Sequence, residues 1–143
     1  MKTDEYYMGL AIKEAEKSGE SLPCGAVIIN SSGEILAKSC NSARKIHDSS
    51  AHAEVNALRL AGQIIGNKEL RECIIYCTCE PCVMCLAAIA YAKIKRIVFG
   101  LNLRDVSPKE KIIDISLEDF LKAAPYKIEI TKNLLEKECH KLI

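Results

Sequence analysis

The stretch Cys73-Ile74-Ile75-Tyr76-Cys77-Thr78-Cys79-Glu80-Pro81-Cys82-Val83-Met84-Cys85, carried on through Leu86–Ala92 to Arg96-Ile97-Val98-Phe99-Gly100, reads as strand, helix, strand. Cys73–Cys77 and Arg96–Gly100 are short apolar runs of the kind buried on both faces of a sheet. Between them, Pro81 suits the first turn of a helix reaching about Ala92, where a missing N–H costs nothing. Strand–helix alternation of this sort builds a sheet with helices packed on it.

Outward from this unit the same alternation continues. Thr3, with Asp4 and Glu5 behind it, can start a helix through about Lys17 that Gly19 ends; Met8, Ala11, Ile12 and Ala15 form its apolar stripe. Gly25–Asn30 and Glu34–Lys38 form a hairpin through Ser31-Ser32-Gly33. A polar loop, Cys40 to Ser50, leads to a helix from about His52 to Leu60, closed by Gly62. Further on, Ser116 caps a helix through Lys122, Lys127–Thr131 is a fifth strand, and Leu134–Leu142 is a last helix. The order α-β-β-α-β-α-β-α-β-α implies an α/β fold with a mixed five-stranded sheet and helices on both faces. The 26 residues between Gly100 and Lys127 suffice for a parallel crossover, so the fifth strand should run parallel to the fourth.

At 143 residues and 49% hydrophobic, the chain fits one domain, 1–143, with a respectable core. A net charge of +1 with no basic tail argues against a protein held mainly by phosphate neutralisation, so nucleic acid is the disfavoured partner. No run is long and apolar enough to span a membrane, and the N-terminus has no signal-peptide core. The eight cysteines are then expected in a reducing, cytoplasmic setting, as metal ligands, reactive thiols or buried hydrophobes.

Two clusters carry chemistry: His52-Ala53-Glu54 and Pro81-Cys82-Val83-Met84-Cys85, each at the start of an expected helix. Cys82 and Cys85 are three apart, so on a helix they share one face and both sulfurs can reach one ion. His52 completes an N, S₂ ligand set that suits Zn²⁺ and leaves the fourth tetrahedral position for water, whose pKa such an ion lowers to about 7. Helix N-termini favour the two thiolates. Glu54, two residues from a ligand, can take the water's proton, pass it to a ring nitrogen and then serve a departing amine. His-x-Glu followed by Pro-Cys-x-x-Cys is the signature by which zinc deaminases of nucleobases are known.

Each piece has a plainer account. A lone Cys-x-x-Cys after a strand also describes a thiol redox pair or a structural zinc module. Cys79, Cys82 and Cys85 resemble an iron–sulfur run, but no further Cys precedes a Pro, and that account leaves His52 and Glu54 unused. Cys24, Cys40, Cys73 and Cys139 read as packing residues.

With these residues in place, the chain resembles the cytidine/deoxycytidylate deaminase superfamily from about Pro23-Cys24-Gly25-Ala26-Val27 to Gly100. Asp48-Ser49-Ser50-Ala51-His52-Ala53-Glu54-Val55 and Cys79-Glu80-Pro81-Cys82-Val83-Met84-Cys85 carry most of the likeness. The resemblance implies a three-layer cytidine-deaminase-like fold, zinc on His52, Cys82 and Cys85, Glu54 as proton shuttle, and a homodimer or larger assembly. The apolar helix Leu86–Ala92 would want cover on every side, in keeping with an assembly. Two branches are nearest, guanine deaminases and tRNA adenosine deaminases. Cys79 before Glu-Pro-Cys and Asp105 after Phe99-Gly100 are similar to the guanine branch, and Asn41 matches a base-contacting position in both. Asn41, Ala53 and Asp105 are therefore the candidate substrate contacts. Against the RNA branch, Leu101–Pro108 lacks its Gly-Ser loop, and the last helix mixes Lys with Glu136 and Glu138. Against the guanine branch, its aromatic, acidic segment is missing, and Ala90 and Tyr91 replace bulkier aromatics. The expected substrate is a free nucleobase or nucleoside, guanine-like, with tRNA adenosine or a cytosine-type base as alternatives.

Overall fold

A computed structural model describes residues 1–143. Helix α1, Asp4–Glu16, begins where Thr3 accepts a hydrogen bond from the Tyr6 N–H at 3.2 Å, with Asp4 and Glu5 complementing the helix dipole. Strands β1, Gly25–Ile29, and β2, Ile35–Cys40, form the expected antiparallel hairpin. Helix α2 spans Ala53–Ile65, β3 Ile74–Cys79, α3 Val83–Tyr91 and β4 Arg96–Leu101. A short helix α4, Leu103–Val106, and a 3-10 turn, Lys109–Lys111, follow. Then come α5, Leu117–Ala123, β5, Glu129–Thr131, and α6, Glu136–His140.

The sheet order is β2-β1-β3-β4-β5, with β1 antiparallel to both neighbours and β3, β4 and β5 mutually parallel. One core layer joins Ile28, Ile75, Ile97 and Phe99 to Ala53, Ala57 and Ala61 of α2, Leu86 and Ile89 of α3, and Leu117 of α5. On the other face, Tyr7, Met8 and Ala11 of α1 and Cys139 of α6 cover Val27, Tyr76 and Val98. Helices on both faces of a mixed five-stranded sheet make the three-layer cytidine-deaminase-like architecture. Two contacts show how closely the layers approach: a Cβ on Gly25 would lie 1.9 Å from the Ala11 carbonyl oxygen, and one on Gly100 2.4 Å from Cys139 Sγ. Only glycine leaves room there.

Several boundaries move. Helix α2 runs past Gly62 and stops at Gly66, whose φ of 73° gives the left-handed cap. Its last turn exposes Ile64 and Ile65, so no amphipathic pattern marks the extension. Pro81 lies outside its helix, one residue before the N-cap Cys82, whose extended backbone turns the chain into α3. The loop after β4 contains helical turns where none was expected. Leu135, with a left-handed φ of 52°, shortens the last helix, and Leu134 and Leu135 pack against the sheet layer instead.

Candidate active site

The site lies at the carboxyl ends of β3 and β4, where ligand crevices form in open α/β sheets. His52 is the N-cap of α2 and Cys82 the N-cap of α3; Cys85 sits one turn further along α3. Because N-cap residues have extended backbones, both side chains turn across a helix end, and the two ends face each other. His52 Nδ1 lies 3.5 Å from the sulfur of Cys82 and 3.5 Å from that of Cys85, and the two sulfurs are 3.7 Å apart.

Those separations test the metal. A tetrahedral ion with bonds of about 2.3 Å to sulfur and about 2.0 Å to nitrogen requires S···S near 3.8 Å and S···N near 3.5 Å. The three donors already stand at the corners of such a tetrahedron, and they are the one His/Cys/Asp/Glu group whose ligand atoms converge this way. Two thiolates and an imidazole are soft and borderline donors that suit Zn²⁺.

Proton affinities follow from the same closeness. A hydrogen bond from Cys85 holds Cys82 down to about 4, and its burial opposes this only in part. Cys85 is pushed far up, first by that shared proton and then by burial. His52 is raised by its hydrogen bond to Cys82. Binding a dication to this set therefore displaces protons.

Glu54 sits in the first turn of α2 at 6% exposure, and its burial pushes the carboxyl up to about 7. It opens onto a cleft of about 390 Å³, whose wall also includes His52, Ala53, Cys79 and Cys82. Ala53 is fully buried, and as the first helical residue its N–H has no partner within the helix. Cys79 is buried, and hydrogen bonding with Cys24 raises its thiol well above the ordinary value.

Asn41 lines the cleft, but its amide is already at work: Cys24 N–H donates to Oδ1 at 3.0 Å, and Nδ2 donates to the Leu22 carbonyl at 2.8 Å. It fastens the wall formed by Leu22 and Cys24, leaving one proton and one lone pair for a ligand. Asp105 does not join the others. It is exposed on α4, its carboxylate accepts from Asn102 Nδ2 at 3.1 Å, and the cleft is walled at this end by Leu103 and Ser107. The cause is the short helix, anchored where Leu103 N–H donates to Glu80 Oε1 at 3.1 Å.

Sequence reasoning did not find the outer walls. These include Glu20–Leu22 and Lys111–Ile113. No local pattern marks them, since both are loops brought in by the chain's path.

A three-layer sheet presenting one histidine, two cysteines and a buried acid at paired helix starts defines a zinc hydrolase of the deaminase type. The profile of the cytidine and deoxycytidylate deaminase zinc-binding region matches residues 1–101, and the chain belongs to that family. A tRNA-specific adenosine deaminase of Buchnera aphidicola subsp. Schizaphis graminum is 39% identical over 98% of this chain and 91% of its own length. A solved structure from work on A-to-I editing by tRNA:A34 deaminases at the wobble position of transfer RNA superposes with a TM-score of 0.84. It is 32% identical, over 96% of this chain and 99% of that one. Guanine deaminase from Bacillus subtilis is similar at 30% identity and a TM-score of 0.68, over 85% and 91%. The family binds zinc, and the His52, Cys82, Cys85 geometry fits it. No helix is long and apolar enough to cross a membrane.

Proposed function

We propose that this chain is a zinc-dependent hydrolytic deaminase that converts adenosine to inosine in transfer RNA. The observation that carries the substrate is the 39% identity to a tRNA-specific adenosine deaminase along nearly all of both chains. Guanine deaminases share the fold but are less similar in sequence, that of Bacillus subtilis at 30% identity. Asp105, one of the residues that favoured free guanine, stands outside the cleft.

In this reading His52, Cys82 and Cys85 hold zinc. When bound, the ion supplies an activated water by lowering its pKa towards about 7. The chain's own contribution is positional and protonic. The Glu54 carboxylate takes a proton from the attacking water and delivers it to ring nitrogen N1 of adenine. It then takes the remaining proton from the hydroxyl added at C6 and delivers it to the departing amine, so that the C6–N bond breaks, the C6 carbonyl forms and ammonia leaves. Burial suits Glu54 to this, because an acid raised to about 7 exchanges protons readily at neutral pH. The Ala53 N–H and the remaining valences of Asn41 orient the base. Self-association accounts for Tyr91, 78% exposed at the end of α3, and a homodimer is the expected assembly.

The deciding experiment incubates the zinc-loaded protein with unmodified tRNA, guanine, cytosine and free nucleosides, following inosine and ammonia. Inosine in tRNA, with the small substrates untouched, supports the proposal. Ammonia from guanine with tRNA unchanged would overturn it in favour of a free-base enzyme.

A further inference from the structure

The loop between β2 and α2 is built more firmly than a connector needs. Ser42 N–H donates to the Ala51 carbonyl at 2.9 Å, Ile46 N–H to Ser42 at 3.0 Å, and Asp48 N–H to Ala43 at 2.9 Å. From below, Asn56 Nδ2 donates to the Cys40 carbonyl at 2.9 Å and to Ser42 Oγ at 3.1 Å. From across the cleft's edge, Glu20 Oε1 accepts the Arg44 N–H at 2.8 Å. Ala43 and Ser49 line the cleft, so the segment between them stands on its rim.

That segment is Arg44-Lys45-Ile46-His47, and all four residues are exposed. Other charged side chains of this loop and its neighbour pair up, Asp48 with Arg59 at 3.9 Å and Lys109 with Asp114 at 3.9 Å, while Asp105 and Glu110 do not. Arg44 and Lys45 form no ion pair, and neither does Lys111, which lines the same cleft. Ile46, 53% exposed, and the His47 ring add apolar and aromatic surface between the charges. A fixed backbone that carries unpaired cations and a flat ring pays little ordering entropy on binding.

We infer that Arg44, Lys45 and Lys111 grip the phosphates on either side of the reacting nucleotide, with Ile46 and His47 supporting a neighbouring unstacked base. This rests on the RNA reading above and names where the strand lies. Cations beside and within the lining of one cleft suit a single strand whose middle base turns inward while its backbone stays outside. A duplex would present its bases stacked and out of reach. The chain's small net charge does not bear on this, because three cations with no ion-pair partner lie at or beside the cleft, where Glu20 is engaged by the Arg44 N–H and Glu80 by the Leu103 N–H.

The test uses an anticodon stem–loop RNA as probe and compares wild type with the double variant Arg44→Gln, Lys45→Gln. Removing two phosphate contacts should make the slope of log kcat/KM against log salt shallower by about 1.4 and shrink the rate advantage of wild type about sevenfold between about 50 and 200 mM salt. The loss should fall in KM, zinc content should stay at the wild-type level, and the swap Arg44→Lys, Lys45→Arg should restore the slope. Lys111→Gln should remove about a further 0.7. Wild type making inosine while the double variant keeps both its rate and its salt slope would overturn the inference and leave the deaminase reading standing. Wild type making no inosine in this RNA would overturn both.

Discussion

Two polar clusters stand at opposite ends of the same parallel strands, and they are resolved differently. Near the amino end of β4, Asp4 accepts from Arg96 at 2.7 and 3.1 Å and from the Tyr76 hydroxyl at 2.6 Å, while Arg96 also donates to Thr131 at 2.8 Å. Charge meets opposite charge there, and the groups satisfy one another. At the carboxyl ends, two sulfurs, an imidazole and a buried acid converge with no lysine or arginine among them. Such a set is balanced by protons or by a cation. A self-neutralised cluster serves stability; one whose charge calls for a partner serves chemistry.

The largest effect should come from removing a ligand at the second cluster. Cys82→Ser should lose zinc and deamination together, and chelation of wild type should lower stability by about 4 kcal/mol if zinc had been present at about a thousandfold over its Kd. Elemental analysis and thermal melts check this; a metal-free variant with full turnover would break the contrast between the two ends. Next, Glu54→Gln should keep its zinc yet lose about 10²- to 10⁴-fold in kcat. Turnover within a factor of two of wild type would remove the acid from the chemistry.

Smaller effects belong to the framework. Gly25→Ala should cost about 1–3 kcal/mol in denaturant unfolding, because the new methyl meets the α1 backbone and must push two layers apart. Unchanged stability would mean that the layers yield freely. At the first cluster, Asp4→Asn should cost about 1 kcal/mol and leave turnover per bound zinc intact. The sign with pH is definite. Arg96 holds the Asp4 carboxyl below its ordinary 3.8, so the stabilisation is present above that value and is lost as pH falls through the folded-state pKa. The stability difference between wild type and Asp4→Asn should therefore close in acid. A gap that persists at low pH would assign the cluster's contribution to packing.

Much of the fold was legible because its signals are local. Thr3 and Ser116 announce helix starts with side chains that accept from backbone N–H groups three residues on, at 3.2 and 3.0 Å. The strands β1, β3 and β4 are apolar runs that only a doubly covered sheet accommodates. What misled were places where tertiary contacts outweigh local preference. Gly62 was tolerated within α2, and Leu103 was held in a helical turn by Glu80, carrying Asp105 away from the cleft. The expectation of a free purine used that aspartate as a contact, and the weighing against RNA used net charge, the loop Leu101–Pro108 and a last helix that packs against the sheet through Cys139.

The amino-acid order alone determined the alternation of strands and helices and the ligand set, because hydrophobic period, capping chemistry and a Cys-x-x-Cys spacing act over a few residues. Tertiary structure decided how that set is enclosed. Glu20 reaches Arg44 across 24 residues, and Glu80 reaches Leu103 across 23. Contacts over such distances come from the path of the whole chain, so the shape of the cleft and the charges on its rim emerge only once the layers have packed.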